Sequence, residues 1–156
     1  FRYFFLRHID SFADSDFTNE KFENAYNNEL ANDLGNLVQR LATLCKKNDV
    51  AGVQSELKLT SEFCVLMDKF EFSKALDLVW GKIQQLNKQI DDQKPWELAK
   101  NGESERVQEV LQDLERGLVD TAQLLTVFLP ETAQQIIDIF TATAVIPPAQ
   151  PLFPKN

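Results

Sequence analysis

Apolar residues recur along this chain at helical spacing, in stretches separated by short polar breaks, and no period-two run is long enough to predict a strand. Residues 1–9 read as the last turns of a helix that closes near Asp10-Ser11. Asp14-Ser15-Asp16-Phe17-Thr18 is a polar loop with Thr18 as N-cap, and Phe17 and Phe22 are spaced to form a hydrophobic staple across it. A long helix follows toward Lys46-Lys47-Asn48, where two cations suit the negative end of the helix dipole. Its buried stripe is Leu30, Leu34, Leu37, Leu41 and Leu44.

Asn48 to Ser55 is a connection, with Gly52 available for a turn and Val50 and Val53 able to pack locally. A second helix spans Leu57 to Lys69 with the stripe Leu59, Phe63, Leu66 and Phe70. A third runs from Glu71 to Asp91-Asp92 through Ala75, Leu78, Val79, Ile83, Leu86 and Ile90. Pro95 opens a short helix at the position where a missing N–H costs nothing, and Asn101-Gly102 closes it. Ser104 or a neighbour starts another long helix through Val107, Val110, Leu111, Leu114, Leu118, Leu125 and Phe128, Pro130 interrupts it, and Glu131-Thr132-Ala133 starts the last helix through Ile136, Ile137 and Phe140.

These elements predict an all-α fold, a mostly antiparallel bundle of about five to seven helices over residues 1–145. Residues 146–156, rich in Pro, predict an extended C-terminal segment lying on a surface or loose.

Composition sharpens this picture. The 156 residues, 44% hydrophobic with 12 Phe, suffice for one domain with a sizeable core and exclude an acidic disordered chain. The formal net charge of -8 argues against blanketing of phosphates, which needs a basic surface, so any nucleic-acid contact must be local and made to bases. Cys45 and Cys64 sit in apolar helical patterns without a Cys-x-x-Cys motif, and read as buried free thiols of a cytoplasmic protein. The opening Phe1-Arg2-Tyr3-Phe4-Phe5-Leu6 is broken by Arg2 and Arg7, so neither a signal peptide nor a membrane partner is expected. Opening mid-helix without an initiator Met, the chain reads as a piece of a larger protein.

Catalytic chemistry has little to stand on. His8 is the single histidine and has no evident nucleophile to serve. Carboxylate pairs such as Asp91-Asp92 lie at helix ends or on solvated faces. No Cys/His spacing suits a metal, and the scattered glycines make no phosphate loop. The chain alone is therefore expected to be non-catalytic, with no catalytic residue, no metal site and no cofactor of its own.

A recognition surface is better supported. Asn28, Asn32, Asn36 and Arg40 fall at four-residue intervals, a polar row along one helix edge. Asn is a mediocre helix former, roughly 0.5 kcal/mol worse than Ala, and Gly35 costs about 1 kcal/mol, so their presence suggests either base-edge hydrogen bonding or close approach by a neighbour. The plainer alternative has the Asn side chains bonding to adjacent loops and Arg40 pairing with a surface carboxylate. Trp96, just after Pro95, is less easily buried than a mid-helix indole and offers a stacking face; Trp80, inside an apolar pattern, reads as core.

With these residues in view, the sequence resembles the C-terminal anticodon-binding domain of methionyl-tRNA synthetases, a helical bundle of class I aminoacyl-tRNA synthetases. The segments that carry the resemblance are Leu30-Ala31-Asn32-Asp33-Leu34-Gly35-Asn36-Leu37 with Arg40, Pro95-Trp96-Glu97-Leu98-Ala99-Lys100, Phe128-Leu129-Pro130-Glu131-Thr132-Ala133 and Pro151-Leu152-Phe153-Pro154-Lys155. Phe1-Arg2-Tyr3-Phe4 resembles the helix that follows the catalytic core. The resemblance implies that Asn36 and Arg40 hydrogen-bond anticodon bases and that Trp96 stacks on the first base of CAU, with Asn32 supporting and Pro95 fixing the approach of Trp96. It also implies two partners, the anticodon loop of methionine tRNA and the catalytic domain of the same polypeptide. The parent would be a methionine–tRNA ligase using ATP with Mg, and Zn in some members, in a catalytic portion outside these residues. A competing expectation keeps the bundle as a docking module for that domain, with little anticodon contact.

Overall fold

In a computed structural model of the chain, which describes residues 1–9, 17–54, 56 and 59–154, all regular structure is helical. Helix α1 (Arg2–His8) is followed by α2 (Asn19–Ala25), which is capped as its sequence dictates: the Thr18 hydroxyl accepts from the Lys21 amide at 3.2 Å, and the rings of Phe17 and Phe22 lie 6.3 Å apart across the cap. Helix α1 ends at His8 with Ile9 as its C-cap; the expected Asp10-Ser11 turn lies outside the described residues, as do Asp14, Ser15 and Asp16.

The long helix expected from Thr18 to Lys47 is continuous but not uniform. Its central ten residues, Tyr26–Gly35, are wound as a π-helix before α3 (Asn36–Lys47) resumes α geometry. π winding closes wider i→i+5 rings and is rare over more than a turn, so outside contacts must stabilise it. They come from several sides. Tyr3 and Arg7 of α1 hydrogen-bond Glu29, and the Asn87 amide donates to the Asp33 carbonyl at 3.1 Å. Tyr26 donates its hydroxyl to the Pro154 carbonyl at 2.9 Å. Phe153 of the C-terminal segment packs 6.1 Å from the Tyr26 ring, and a Cβ at Gly35 would meet the Phe153 ring at 3.5 Å. The C-terminal segment therefore lies against the π-wound stretch.

Helix α4 (Ser61–Asp68) begins later than its apolar stripe suggested, because the Thr60 hydroxyl caps it by accepting from the Phe63 amide at 3.3 Å. Of the expected stripe only Phe63 is fully buried, Leu66 is partly so, and Leu59 and Phe70 face solvent. Phe70 stands in a left-handed conformation that ends the helix, which takes its ring off the stripe. Helices α5 (Phe72–Gln93), α6 (Pro95–Lys100), α7 (Ser104–Leu125) and α8 (Pro130–Thr141) match their predicted positions, except that α7 ends at Leu125, short of the expected Phe128, where the Phe128 and Leu129 amides both turn back to the Leu125 carbonyl. Leu37, Leu41, Leu76, Ile83, Leu111, Leu118 and Phe140 make the centre of the core.

Side-chain pairings fix directions. Cys45 lies against Glu115 and Gln108 bonds the Asn48 carbonyl at 2.9 Å, so α3 and α7 run oppositely. Asp33 pairs with Asn87 and Arg40 with Asp91, so the first long rod and α5 advance in the same sense, an arrangement made possible by the intervening α4. Gly52 makes no turn of its own; its amide donates to the Ala142 carbonyl at 3.1 Å and the Val53 amide to the Phe140 carbonyl at 2.8 Å. Glycine is needed there for close approach, since a Cβ would fall 2.5 Å from the Ala142 oxygen and 2.6 Å from the Phe140 oxygen. Cys45 is buried as expected, whereas Cys64 is half-exposed because it flanks the buried face of the short α4. No disulfide joins them.

Glu115 is the exceptional core residue. It is fully buried, its carboxyl lies against the Cys45 thiol, and neither oxygen completes a hydrogen bond. Burial pushes its pKa from 4.5 to about 7, with the neighbouring Cys45 and Arg116 pulling the other way, while burial and Glu115 together push the Cys45 thiol well up. A carboxyl with a raised folded-state pKa holds a proton that the unfolded chain has released, so stability falls as pH rises through this window, by on the order of 3 kcal/mol when complete. The neutral isostere Glu115→Gln is expected to gain on the wild type as pH rises from about 4.5 to about 7 in urea unfolding and to level off above that; a gap independent of pH would contradict the assignment. Gly52→Ala is expected to cost about 1–3 kcal/mol in the same assay, because both oxygens it meets are backbone and cannot move aside.

Candidate functional site

Arg40, Asp91 and Trp96 meet at one end of the bundle, where α3, the end of α5 and the start of α6 come together. Arg40 donates from Nη2 to the Asp91 Oδ1 at 2.7 Å, and its guanidinium carbon lies 5.0 Å from the centre of the Trp96 ring. The guanidinium is thus held in place by a carboxylate while it covers the indole. Only part of each group is occupied: Trp96 remains 38% exposed and Arg40 is also partly open to solvent. Of the five N–H donors of a guanidinium, Asp91 takes one, and among the described residues no other acceptor takes the rest.

The neighbouring positions complete this edge. Asn36 lies one turn before Arg40 on α3 and is exposed, so its amide can both donate and accept beside the stack. Asn32 is partly buried inside the π-wound stretch and Asn28 is exposed in the same stretch. The even four-residue row is accordingly broken: wider π turns change the angular step, so only Asn36 and Arg40 share a regular α-helical face. Pro95 is buried at the first position of α6 and anchors the turn that carries Trp96. Trp80 is core, 2% exposed, with Tyr3 at 4.8 Å and the Arg7 guanidinium 5.2 Å above its ring.

Two contributors could not be foreseen from spacing. Arg40 does pair with a surface carboxylate, as the plainer expectation had it, but Asp91 read as an ordinary helix-end acid and nothing local signals that it is the partner of a residue 51 positions earlier. Lys94 links α5 to α6 in a left-handed conformation, φ 44° and ψ 59°, and its amide closes α5 on the Ile90 carbonyl. This conformation costs a side-chain-bearing residue about 1–2 kcal/mol relative to glycine, the residue usual at such a position. The sequence does offer Lys94, together with Lys46, Lys47, Lys88 and Lys100, either as a local basic rim or as an ordinary solvated lysine, but it does not signal the left-handed turn.

His8 is absorbed by a separate polar cluster. Its Nε2 lies 3.2 Å from Glu29 Oε2, a carboxylate that also accepts from Tyr3 and, at 3.1 Å to each oxygen, from Arg7 Nε. Among the described residues no group of His, Cys, Asp and Glu could hold a metal ion, and no helix is long and apolar enough to cross a membrane.

Comparison with known proteins bears on what this edge is for. The family model for class I tRNA synthetases (M) matches residues 1–42. The chain is 36% identical to a methionine–tRNA ligase of Fusobacterium nucleatum over 87% of its own length and 24% of the relative's. It is 37% identical to that of Clostridium acetobutylicum over 86% of the chain and 23% of the relative. A crystal structure of Mycobacterium tuberculosis methionyl-tRNA synthetase bound by methionyl-adenylate superposes with a TM-score of 0.83 at 26% identity, covering 98% of this chain and 37% of that one. The chain thus spans about a quarter of the length of the curated relatives it matches.

The energetics of the stack are modest. An exposed ion pair contributes about 0–1 kcal/mol and an exposed cation–π contact about 0.5–1 kcal/mol. Arg40→Ala should therefore lower the melting temperature by no more than a few degrees while uncovering the indole. Because Trp80 is buried, iodide quenching of tryptophan fluorescence reports mainly on Trp96, and quenching should rise in the variant. Unchanged quenching would mean that Arg40 does not cover Trp96 in solution.

Proposed function

The chain belongs to the methionyl-tRNA synthetase family, and from that premise we propose that it recognises the CAU anticodon of methionine tRNA through the edge built by Trp96, Arg40 and Asn36. The observation that carries this reading is the partly exposed Trp96 indole, held under the Arg40 guanidinium by Asp91. Such an edge combines a π face for a base with fixed donors at its rim. Stacking of one base on the indole is worth roughly 1–3 kcal/mol, and Arg40 and the Asn36 amide select among bases by hydrogen bonding.

Discrimination follows from the cost of error. A base that presents a donor where Arg40 also donates leaves both groups desolvated and unpaired, which costs more than a missing apolar contact. Asp91 raises the stakes by restricting where the guanidinium can go, since a planar fork fixed at one end cannot swing to a differently shaped base edge. Asn32 and the buried Pro95 act indirectly, the first through the π-wound stretch before Asn36 and the second through the turn below Trp96. A net charge of -8 fits a site that reads bases at one point and leaves much of the phosphate contact to other parts of a synthetase. In the whole enzyme, which would activate methionine with ATP and Mg in the catalytic region, this chain contributes selection of the tRNA and no bond chemistry.

The opposite end of the bundle favours a second role beside the first. Phe5, Val65 and Phe70 are exposed around α1 and α4, at the start of α5, while Asp91 sits near its far end. The 22 residues of α5 separate the two ends by about 33 Å. Such an apolar end suits packing against the catalytic domain of the same polypeptide.

In a full-length synthetase carrying this chain, Trp96→Ala is expected to lower kcat/KM for methionine tRNA about 5- to 150-fold, the equivalent of one lost base stack. Methionine-dependent ATP–pyrophosphate exchange should not change. Methionine tRNA with a replaced anticodon should show a comparable loss, and unaltered aminoacylation of that tRNA would sink anticodon reading in favour of the docking role alone.

A further inference from the structure

Lys94 is held in a backbone conformation that favours glycine, and its side chain contributes little to the fold that would explain its presence. It is half-exposed, and its ion pair is a 3.4 Å contact from Nζ to Glu97 Oε1, itself more than half-exposed. Pairs of this kind add little to stability. Glu97 belongs to the first turn of α6, so the contact positions the Lys94 ammonium over the same turn that carries Trp96. Strained non-glycine residues concentrate at ligand clamps, where the side chain has a use that outweighs the strain.

The charges around the stack sharpen the case. Arg40 is already neutralised by Asp91 at 2.7 Å, and Asp92 adds a further exposed acid beside it. A nucleotide whose base lay on Trp96 would bring its phosphate to a rim where Asp91 and Asp92 are offset by Lys94, by Lys100 one turn after Trp96 on α6 and, a turn and a half before Lys94 on α5, by Lys88. Lys94 is the better placed, because it directly precedes the turn that carries Trp96 and its loose, exposed contact with Glu97 can be exchanged at small cost for a phosphate oxygen of like charge.

Resting on the reading of Trp96 as a base platform, we propose that Lys94 is a phosphate-binding residue of this site, releasing Glu97 to contact the backbone of the nucleotide stacked on Trp96. The left-handed turn at Lys94 then has two functions: it sets the start of α6 beneath the indole, and it brings a cation to the phosphate of the same nucleotide. Base and backbone are gripped by residues two positions apart.

The test uses the full-length synthetase carrying this chain and an RNA stem–loop with the CAU anticodon, with affinity measured across salt concentrations. Lys94→Gln, neutral but equally restricted in its backbone, is expected to weaken binding about 3- to 10-fold at low salt and to reduce the slope of log affinity against log salt by about 0.7, the share of one single-stranded phosphate. Lys94→Arg should keep both affinity and slope. Lys94→Gly relieves the turn, so its melting temperature should equal or exceed the wild type while its binding falls like that of Lys94→Gln. A stem–loop carrying a neutral methylphosphonate at the contacted phosphate should bind the wild type and Lys94→Gln equally.

If Lys94→Gln binds as the wild type does while Trp96→Ala loses affinity, the phosphate assignment is overturned and the base platform stands. If Trp96→Ala also binds normally, the platform itself is wrong. Loss in Lys94→Gly but not in Lys94→Gln would show that the backbone matters rather than the charge, and would overturn the proposal equally.

Discussion

The arrangement of this bundle depends on the Glu29 carboxylate. It sits in the π-wound stretch and accepts from Tyr3 and Arg7 of α1, while Arg7 reaches on to Asp77 of α5 at 2.9 Å and lies over Trp80. One half-buried anion thereby ties together the first helix, the long rod and the helix that ends beside Trp96. The Ser73 hydroxyl adds a bond to the Arg7 carbonyl at 2.8 Å, which holds the end of α1 on α5. Burial pushes the Tyr3 hydroxyl well up, and the adjacent Glu29 carboxylate adds to the shift, so that phenol remains a donor under ordinary conditions. Removing Glu29 would strand a buried phenol and a partly buried guanidinium together, so the cluster acts as a unit.

From this anchor the rod and α5 are joined by successive polar contacts in the same order along both: Glu29 through Arg7 to Asp77, the Asp33 carbonyl to Asn87, and Arg40 to Asp91. The apolar core between them supplies most of the attraction but little register, since leucines and isoleucines tolerate small slides. Directional bonds supply what the core lacks. This is why the distance between Arg40 and Trp96 is a property of the whole bundle: the two side chains belong to different helices, and each helix is positioned well away from the site.

What the sequence revealed divides along the same line. The Thr18 cap, the Phe17–Phe22 staple, the start of α6 at Pro95 and the burial of Trp80 rest on interactions within a few residues, or on a hydrophobic period many turns long, and were legible. The π winding was not, because ten residues are too few for a helical period to separate α from π, and because its stabilising contacts come from α1, α5 and the C-terminal segment. Gly52 could be read as punctuation but not as a point of close approach, which depends on where Phe140 and Ala142 lie. Among the site residues, Asn36, Arg40 and Trp96 stood out through unusual chemistry for their positions. Asp91 did not, since an acid at a helix end needs no special explanation until its partner is seen.

The same reasoning explains why the site is built on costly local choices. A glycine before Asn36, π turns beneath it and a left-handed lysine before Pro95 each lower local stability, and they lie on the two segments that meet at the stack. A uniform α-helix from Thr18 to Lys47 would carry Asn36 and Arg40 forward with a different rotation relative to Glu29, so the clamp on Glu29 and the stack on Trp96 could not both be kept. The π stretch reconciles the two, absorbing the angular mismatch between one end of the rod, fixed by α1, and the other, fixed by α5 and α6. Strain near the stack therefore follows from two rigid anchors at different angles on one helix, joined by the segment least costly to rewind.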